Sequence, residues 1–247
     1  MYAGAARGAR ATGGGYDRWK VFKHIPGPRA RELIERASQS PRSDPSTSYP
    51  AWYLHRWHFL PEGYLSRRSA AGYEWLIRNL YNTGVENALI RKLVRRVRSA
   101  RPESVVEFGC GPGRLVRALS EHSGAADVVG LDLSPYLLER AHARLTRPNA
   151  RLLHASGLST PAGEASFDVA VAAHYVGHLP PPVRPAAVSE MARVVRPGGR
   201  VIIADHSWHP WPESPLLVPR YMSWHAARLI RLQVFERIDV PGAEAPA

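Results

Sequence analysis

Val105-Val106-Glu107-Phe108-Gly109-Cys110-Gly111-Pro112-Gly113-Arg114-Leu115 is the stretch on which the fold turns. An apolar run ending in an acid passes into glycines at every second position. A helical pattern follows at once, with Leu115, Val116 and Leu119 on one face and Gly124 as its stop. The stretch predicts a strand, a tight loop and a helix. Glycines let such a loop take backbone angles that other residues resist and come close to a ligand. The helix start behind it offers free N–H groups.

The spacing separates this loop from two common ones. A dinucleotide-binding loop asks for glycines at 109, 111 and 114, and position 114 is Arg. A phosphate-binding P-loop asks for Gly-Lys-Ser/Thr at its end, which is missing here. What the stretch resembles is motif I of the class I S-adenosylmethionine-dependent methyltransferases, an acid-x-Gly-x-Gly-x-Gly loop. Further pieces fall in that family's order. Val128-Val129-Gly130-Leu131-Asp132 reads as a second strand ending in an acid, and a carboxylate at that position can accept hydrogen bonds from a ribose diol. Ser134-Pro135 supplies a helix N-cap and a first-turn proline. Ser166-Phe167-Asp168-Val169-Ala170-Val171 resembles the family's fourth strand. Arg193-Val194-Val195-Arg196-Pro197-Gly198-Gly199 resembles the turn before its fifth.

Strands are predicted at 104–108, 127–131, 150–154, 167–173 and 200–205, with helices at 113–121, 135–145 and 183–195. The fold class is therefore α/β: a Rossmann-like, doubly wound, mostly parallel sheet with helices on both faces. Right-handed crossovers leave a crevice at the carboxyl ends of the strands. Glu107, Asp132, Ser156 and His174 all fall at or just beyond such ends, which marks the site independently of the resemblance. A helix is expected from about 216 to 232, leaving room for one closing strand at 234–240. The family's sheet has two such strands, so its C-terminal part is expected to be shortened.

Three parts are expected: a disordered tail at 1–15, a helical N-terminal extension or lid at 16–82, and the S-adenosylmethionine-binding domain at 83–247. Within the extension, residues 28–37 read as a helix, and residues 38–50 as a Ser/Pro-rich linker without chemistry. Residues 51–81 are unusually aromatic: Trp52, Tyr53, Trp57, Phe59, Tyr64, Tyr73, Trp75 and Tyr81. They either line a pocket for a flat or greasy molecule or pack the extension onto the core, and a lid does both. Thr83-Gly84-Val85-Glu86 has capping-box spacing, and an amphipathic helix follows to about residue 100.

The resemblance also implies roles. Gly109, Gly111 and Gly113 pass under the methionine and ribose of the cofactor, S-adenosyl-L-methionine, and Glu107 meets its methionine end. Asp132 binds the ribose hydroxyls, and Leu133 lies beside the adenine. Ser156 and Gly157 stand where the family carries an acid for the adenine amine. A serine accepts one hydrogen bond without charge, which costs about 1 kcal/mol of affinity. His174 and Tyr175 end the fourth strand on the acceptor side, with His178 one turn on. His174 leads the candidates for proton removal from a hydroxyl or carbon acceptor, ahead of His178, His206 and His58. The Asp/Asn-Pro-Pro-Tyr/Phe motif of base- and glutamine-methylating enzymes does not follow the fourth strand. His206-x-x-His209 lacks a third ligand at useful spacing, so no metal set is read here. Cys110 reads as a small packing residue.

The 247 residues, 45% hydrophobic, suffice for one ordinary core. No apolar run in the chain is long enough to span a membrane, and residues 1–15, rich in Ala, Gly and Arg without an apolar stretch, are not expected to be a secretory signal. One cysteine excludes an intrachain disulfide. A cytoplasmic enzyme of the ubiquinone/menaquinone-biosynthesis-like group is the expectation, acting in secondary metabolism on a small aromatic or lipophilic metabolite. A homodimer is compatible with this. The net charge of +12 rests on 30 Arg against 3 Lys, scattered along the chain as GC-rich codon usage produces. It leaves an RNA methyltransferase as one alternative. A non-catalytic cofactor-binding subunit, suggested by Ser156 and the short C-terminus, is the other.

Overall fold

The structure, a computed structural model, describes residues 24–56, 60–79, 83–207 and 213–239. The elements in chain order are α1 (Gly27–Ser38), α2 (Arg67–Asn79), α3 (Thr83–Arg98), β1 (Ser104–Phe108), α4 (Arg114–His122), β2 (Asp127–Asp132), α5 (Pro135–His142), β3 (Ala150–His154), β4 (Phe167–Ala173), α6 (Arg184–Val194), β5 (Val195–His206), β6 (Leu217–His225) and β7 (Ile230–Arg237). The tail at 1–15 lies outside the described residues, as do Trp57, His58, Phe59, Tyr81 and His209.

One seven-stranded sheet has the order β3-β2-β1-β4-β5-β7-β6. β1 to β5 run parallel, and β7 is antiparallel to both β5 and β6. Successive strand residues point to opposite faces, so the apolar runs feed two cores. Val105, Val128, Val169 and Ile202 pack against Leu89, Leu93, Leu115 and Leu119 of α3 and α4. Val106, Val129, Ala170 and Val201 pack against Val188, Met191 and Val194 of α6. The chain leaves β1 toward one edge and returns through β4 on its other side. Their carboxyl ends therefore open a crevice at the switch point.

The C-terminal expectation is overturned. Residues 217–237 form a β-hairpin, not a helix followed by one strand, and the sheet is not shortened. β7 buries Ile230, Leu232 and Val234 at a spacing of two, in the place where β5 needs a partner. The turn at Ala226, Ala227 and Arg228 has φ of 50, 50 and 69°, so three non-glycine residues do what a glycine turn usually does. β5 also begins earlier than expected. Val195 already pairs with Phe167, and a register shift absorbs the Pro197-Gly198-Gly199 stretch.

The N-terminal stretch is fastened to the sheet domain. Ile25, Leu33, Tyr53 and Leu65 share a third buried cluster with Leu133, Tyr136 and Leu137 at the start of α5. The segment read as a linker is docked too. Ser40 Oγ donates to Glu139 at 2.7 Å, Asp44 N–H donates to His154 Nδ1 at 2.9 Å, and Thr47 Oγ1 donates to the His154 carbonyl at 2.7 Å.

Candidate functional site

The crevice over the β1 and β4 ends has two adjoining lobes. Gly109, Gly111, Ala173, His174, His178 and Tyr73 line both. The first lobe adds Asp132, Leu133, Ser156, Gly157 and Tyr175, with Trp52, Tyr53 and Tyr64 from the N-terminal stretch. The second adds Glu86, Glu107, Arg114 and His206. Among the described residues given a cofactor or acid–base role in the sequence, Gly113 alone lines neither lobe. Its φ is +80°, and a Cβ there would lie 2.7 Å from Ala141 Cβ. It lets α4 start against the end of α5.

Asp132 ends β2 and organises the floor. Its carboxylate accepts N–H bonds from Gly111 at 2.9 Å and Ser134 at 2.8 Å. Burial pushes its pKa up to about 6, against the pull of these backbone donors. Ser134 caps α5 by accepting the Leu137 N–H at 3.1 Å and donates its own hydroxyl to the Tyr64 carbonyl at 2.6 Å. The N-cap read in the sequence thus also ties the extension to the floor. Glu107 is buried, and its Oε2 has no hydrogen-bond partner among the described residues. Burial first, then the nearby Asp132 and Glu86, hold its carboxyl well above the usual range.

Tyr175 lies across the two glycines. A Cβ on Gly109 would come within 2.6 Å of Tyr175 Cδ2, and one on Gly157 within 2.2 Å of its hydroxyl. These glycines therefore let the Tyr175 ring settle on the crevice floor beside Phe108. Ser156 Oγ accepts the Leu158 N–H at 3.2 Å and faces the same lobe. Cys110 is buried, and its burial raises the thiol's pKa well above normal, in keeping with a packing role.

The far wall carries the acid–base groups. His174 follows β4 with φ +54°, a conformation that costs about 1–3 kcal/mol outside glycine. Its Nε2 lies 3.6 Å from Glu86 Oε2. Burial lowers the imidazole's pKa, but the Glu86 contact and the Asp205 charge outweigh it and leave His174 raised. The His206 ring is centred 5.3 Å from that of His174. Asp205, buried close to both, accepts the Gly177 N–H at 2.6 Å and the His206 N–H at 2.8 Å. Sequence reasoning left Glu86 and Asp205 out of the site. Glu86 reads as a capping-box acid, while Asp205 was legible as an acid at a strand's carboxyl end.

Of the aromatics expected to form a lid, Trp52, Tyr53, Tyr64 and Tyr73 line the crevice. Tyr53 is also buried in the packing of the extension, whereas Trp75 is 61% exposed.

Residues 105–199 match the family described as "Methyltransferase domain". Among curated relatives, an O-methyltransferase of Penicillium expansum is 31% identical over 169 residues, 63% of this chain and 60% of that one. A ubiquinone/menaquinone biosynthesis C-methyltransferase of Syntrophotalea carbinolica is 29% identical over 64% of this chain and 65% of its own. The chain thus spans less than two thirds of the length of either. Among solved structures, the N-methyltransferase NodS of Bradyrhizobium japonicum in complex with S-adenosyl-L-homocysteine superposes with a TM-score of 0.56. It is 17% identical, over 69% of this chain and 98% of that one. A putative S-adenosyl-L-methionine-dependent methyltransferase of Methanococcus maripaludis gives 0.57 at 13% identity, over 72% and 96%. These structures share the fold.

Proposed function

We propose that this chain, which carries a class I S-adenosylmethionine-dependent methyltransferase domain, methylates a small aromatic or lipophilic metabolite. The observation that carries the reading is a single crevice, with Asp132 and Glu107 on its floor, aromatic rings on one wall and His174 on the other.

The floor fits the cofactor. Asp132 keeps acceptor capacity toward a ribose diol beyond its two backbone bonds. Leu133 offers apolar contact to the adenine, and Ser156 and Gly157 meet its edge. Glu107, buried with one unpartnered oxygen, suits the methionine ammonium, whose charge would draw its carboxyl back to the ionised form. Gly109 and Gly111 give the backbone close approach. Gly113 supports the loop from behind.

S-adenosylmethionine supplies an electrophilic methyl on a sulfonium. The chain's part is to align the acceptor with it and exclude water. Residues 16–82 act as the lid that does so, with Trp52, Tyr53, Tyr64 and Tyr73 holding a flat acceptor. His174, Tyr175 and His178 face the acceptor, and His174 with Glu86 behind it promotes loss of the acceptor's proton. The relatives act on different atoms: the Penicillium protein is named an O-methyltransferase and the Syntrophotalea protein a C-methyltransferase. A hydroxyl acceptor fits the His174 wall best.

Calorimetric titration with S-adenosylmethionine and S-adenosylhomocysteine tests the cofactor assignment. Wild type binds in the micromolar range. Asp132→Ala loses two charge-assisted hydrogen bonds to the ribose, about 3 kcal/mol or roughly a hundredfold. A wild type that melts cooperatively but binds neither ligand would sink the proposal in favour of a non-catalytic subunit. Aromatic hydroxyl compounds are the first acceptors to screen.

A further inference from the structure

The geometry points to a divalent-cation site formed by His174, Asp205 and His206 in the acceptor wall. One ligand atom from each of these three residues lies within 4.8 Å of the other two. The inference rests on the methyltransferase reading and specifies how the acceptor is activated.

The fold brings the three together. β4 and β5 are parallel neighbours, with Ala173 opposite Ala204, so their carboxyl ends deliver His174 and Asp205-His206 side by side. The His174 N–H donates to the Ala204 carbonyl at 2.8 Å, which holds the kinked strand end against β5. Sequence spacing could not reveal this set, because two ligands are consecutive and the third comes from another strand. Asp205 is oriented by backbone N–H groups on both oxygens, and each oxygen keeps a further lone pair. Glu86, 3.6 Å from His174, adds a second carboxylate beside the set.

Two imidazoles and a carboxylate suit first-row divalent cations, whereas calcium and magnesium prefer all-oxygen sites. Three protein ligands leave positions open, and His174, which lines both lobes, and His206, in the second, border the crevice in which the acceptor would sit. A cation there polarises the acceptor hydroxyl and lowers its pKa. The proton leaves to water, and the oxygen lone pair forms the new C–O bond. The C–S bond breaks with its electron pair staying on sulfur. His174 thus promotes proton loss as a ligand and does not itself take the proton. The acceptor class is a hydroxyl with a second oxygen nearby that can share the cation.

Co2+ added to the tag-free full chain, followed by its visible absorption and by calorimetry, tests the site. One equivalent binds. Asp205→Asn and His206→Ala each weaken it by about a thousandfold, beyond the roughly ten- to hundredfold effect of losing a partner that merely orients a ligand. His55→Ala, which removes another close histidine pair (His24 and His55, ring centroids 4.2 Å apart), leaves the affinity unchanged. His206 is partly exposed, so its variant serves if the buried Asp205 variant fails to fold. No saturable binding, or binding that survives His206→Ala, overturns the site. S-adenosylhomocysteine titrated in the presence of a chelator keeps the two proposals apart. Binding there is expected, and its absence would defeat the methyltransferase reading without touching the Co2+ result.

Discussion

Asp132 is held by two backbone N–H groups in a half-buried position, yet burial still pushes its pKa up to about 6. Between the model-peptide value of 3.8 and about 6, the folded chain keeps a proton that the unfolded chain has lost. Its contribution to stability therefore falls as pH rises through that window. Cofactor binding has the opposite sign, because ribose hydroxyls donate best to the ionised carboxylate. Affinity for S-adenosylhomocysteine should fall as pH drops through about 6. In Asp132→Asn that slope should flatten, keeping only what the ionisation of Glu107 contributes. An unchanged slope in the variant would assign the pH dependence to another group. Ser156 gives a second prediction. A carboxylate there meets the adenine amine with charge, so Ser156→Asp should tighten binding by about 1 kcal/mol, roughly fivefold. Calorimetry giving equal or weaker binding would place the adenine elsewhere.

Among the elements, the N-terminal stretch is the one whose attachment responds to acid. His154 at the end of β3 accepts the Asp44 N–H on Nδ1 and lies 3.0 Å from the Leu133 carbonyl through Nε2. This pairing fits the neutral ring with its proton on Nε2, and protonating Nδ1 breaks the Asp44 bond. Burial holds the His154 pKa below its ordinary 6.5. Its contribution to stability is full above 6.5 and is lost as pH falls through the lowered folded value. Hydrogen exchange should show residues 44–49 losing protection first on acidification. His154→Ala should show the same loss at neutral pH. Equal protection across that range would mean the stretch is held by its apolar contacts alone. The strand–loop–helix units were legible because each carries a local pattern: an apolar run buried on both faces, a glycine loop, an amphipathic helix. The closing hairpin was not. Edge strand β6 buries only Leu217 and carries the apolar Met222 and Trp224 on its exposed side, so no apolar alternation marks its inner face, and its turn lacks glycine. The docked 38–50 segment was read as a linker because its anchors are single bonds to residues about a hundred positions away. In the site, Asp132 and His174 were readable as strand-end residues. Glu86 was not, since only packing of α3 brings it there.

For the whole molecule, the question is where the charge of +12 sits. Many arginines are occupied. Arg67 pairs with Glu139, Arg151 with Asp127, Arg193 with Glu190, Arg220 with Glu236, and Arg237 with Glu164. The exposed pairs among these, those of Arg67, Arg151 and Arg220, add little stability, but all five spread the positive charge instead of collecting it. Arg114 is the one arginine or lysine lining the crevice among the described residues, and its Nη2 donates to Asn87 at 2.7 Å. An enzyme acting on RNA needs a basic track leading to the methyl donor, because phosphate contacts supply most of the affinity and its salt dependence. Here the approach is lined by Trp52, Tyr64 and Tyr73. Anisotropy with a short fluorescent RNA should therefore show weak association that disappears at physiological ionic strength. Affinity for S-adenosylhomocysteine should barely change over the same salt range. Saturable RNA binding that persists in salt and is competed by the cofactor product would move the acceptor from a metabolite to a nucleic acid. The aromatic wall would then have to be read as a platform for stacking unpaired bases.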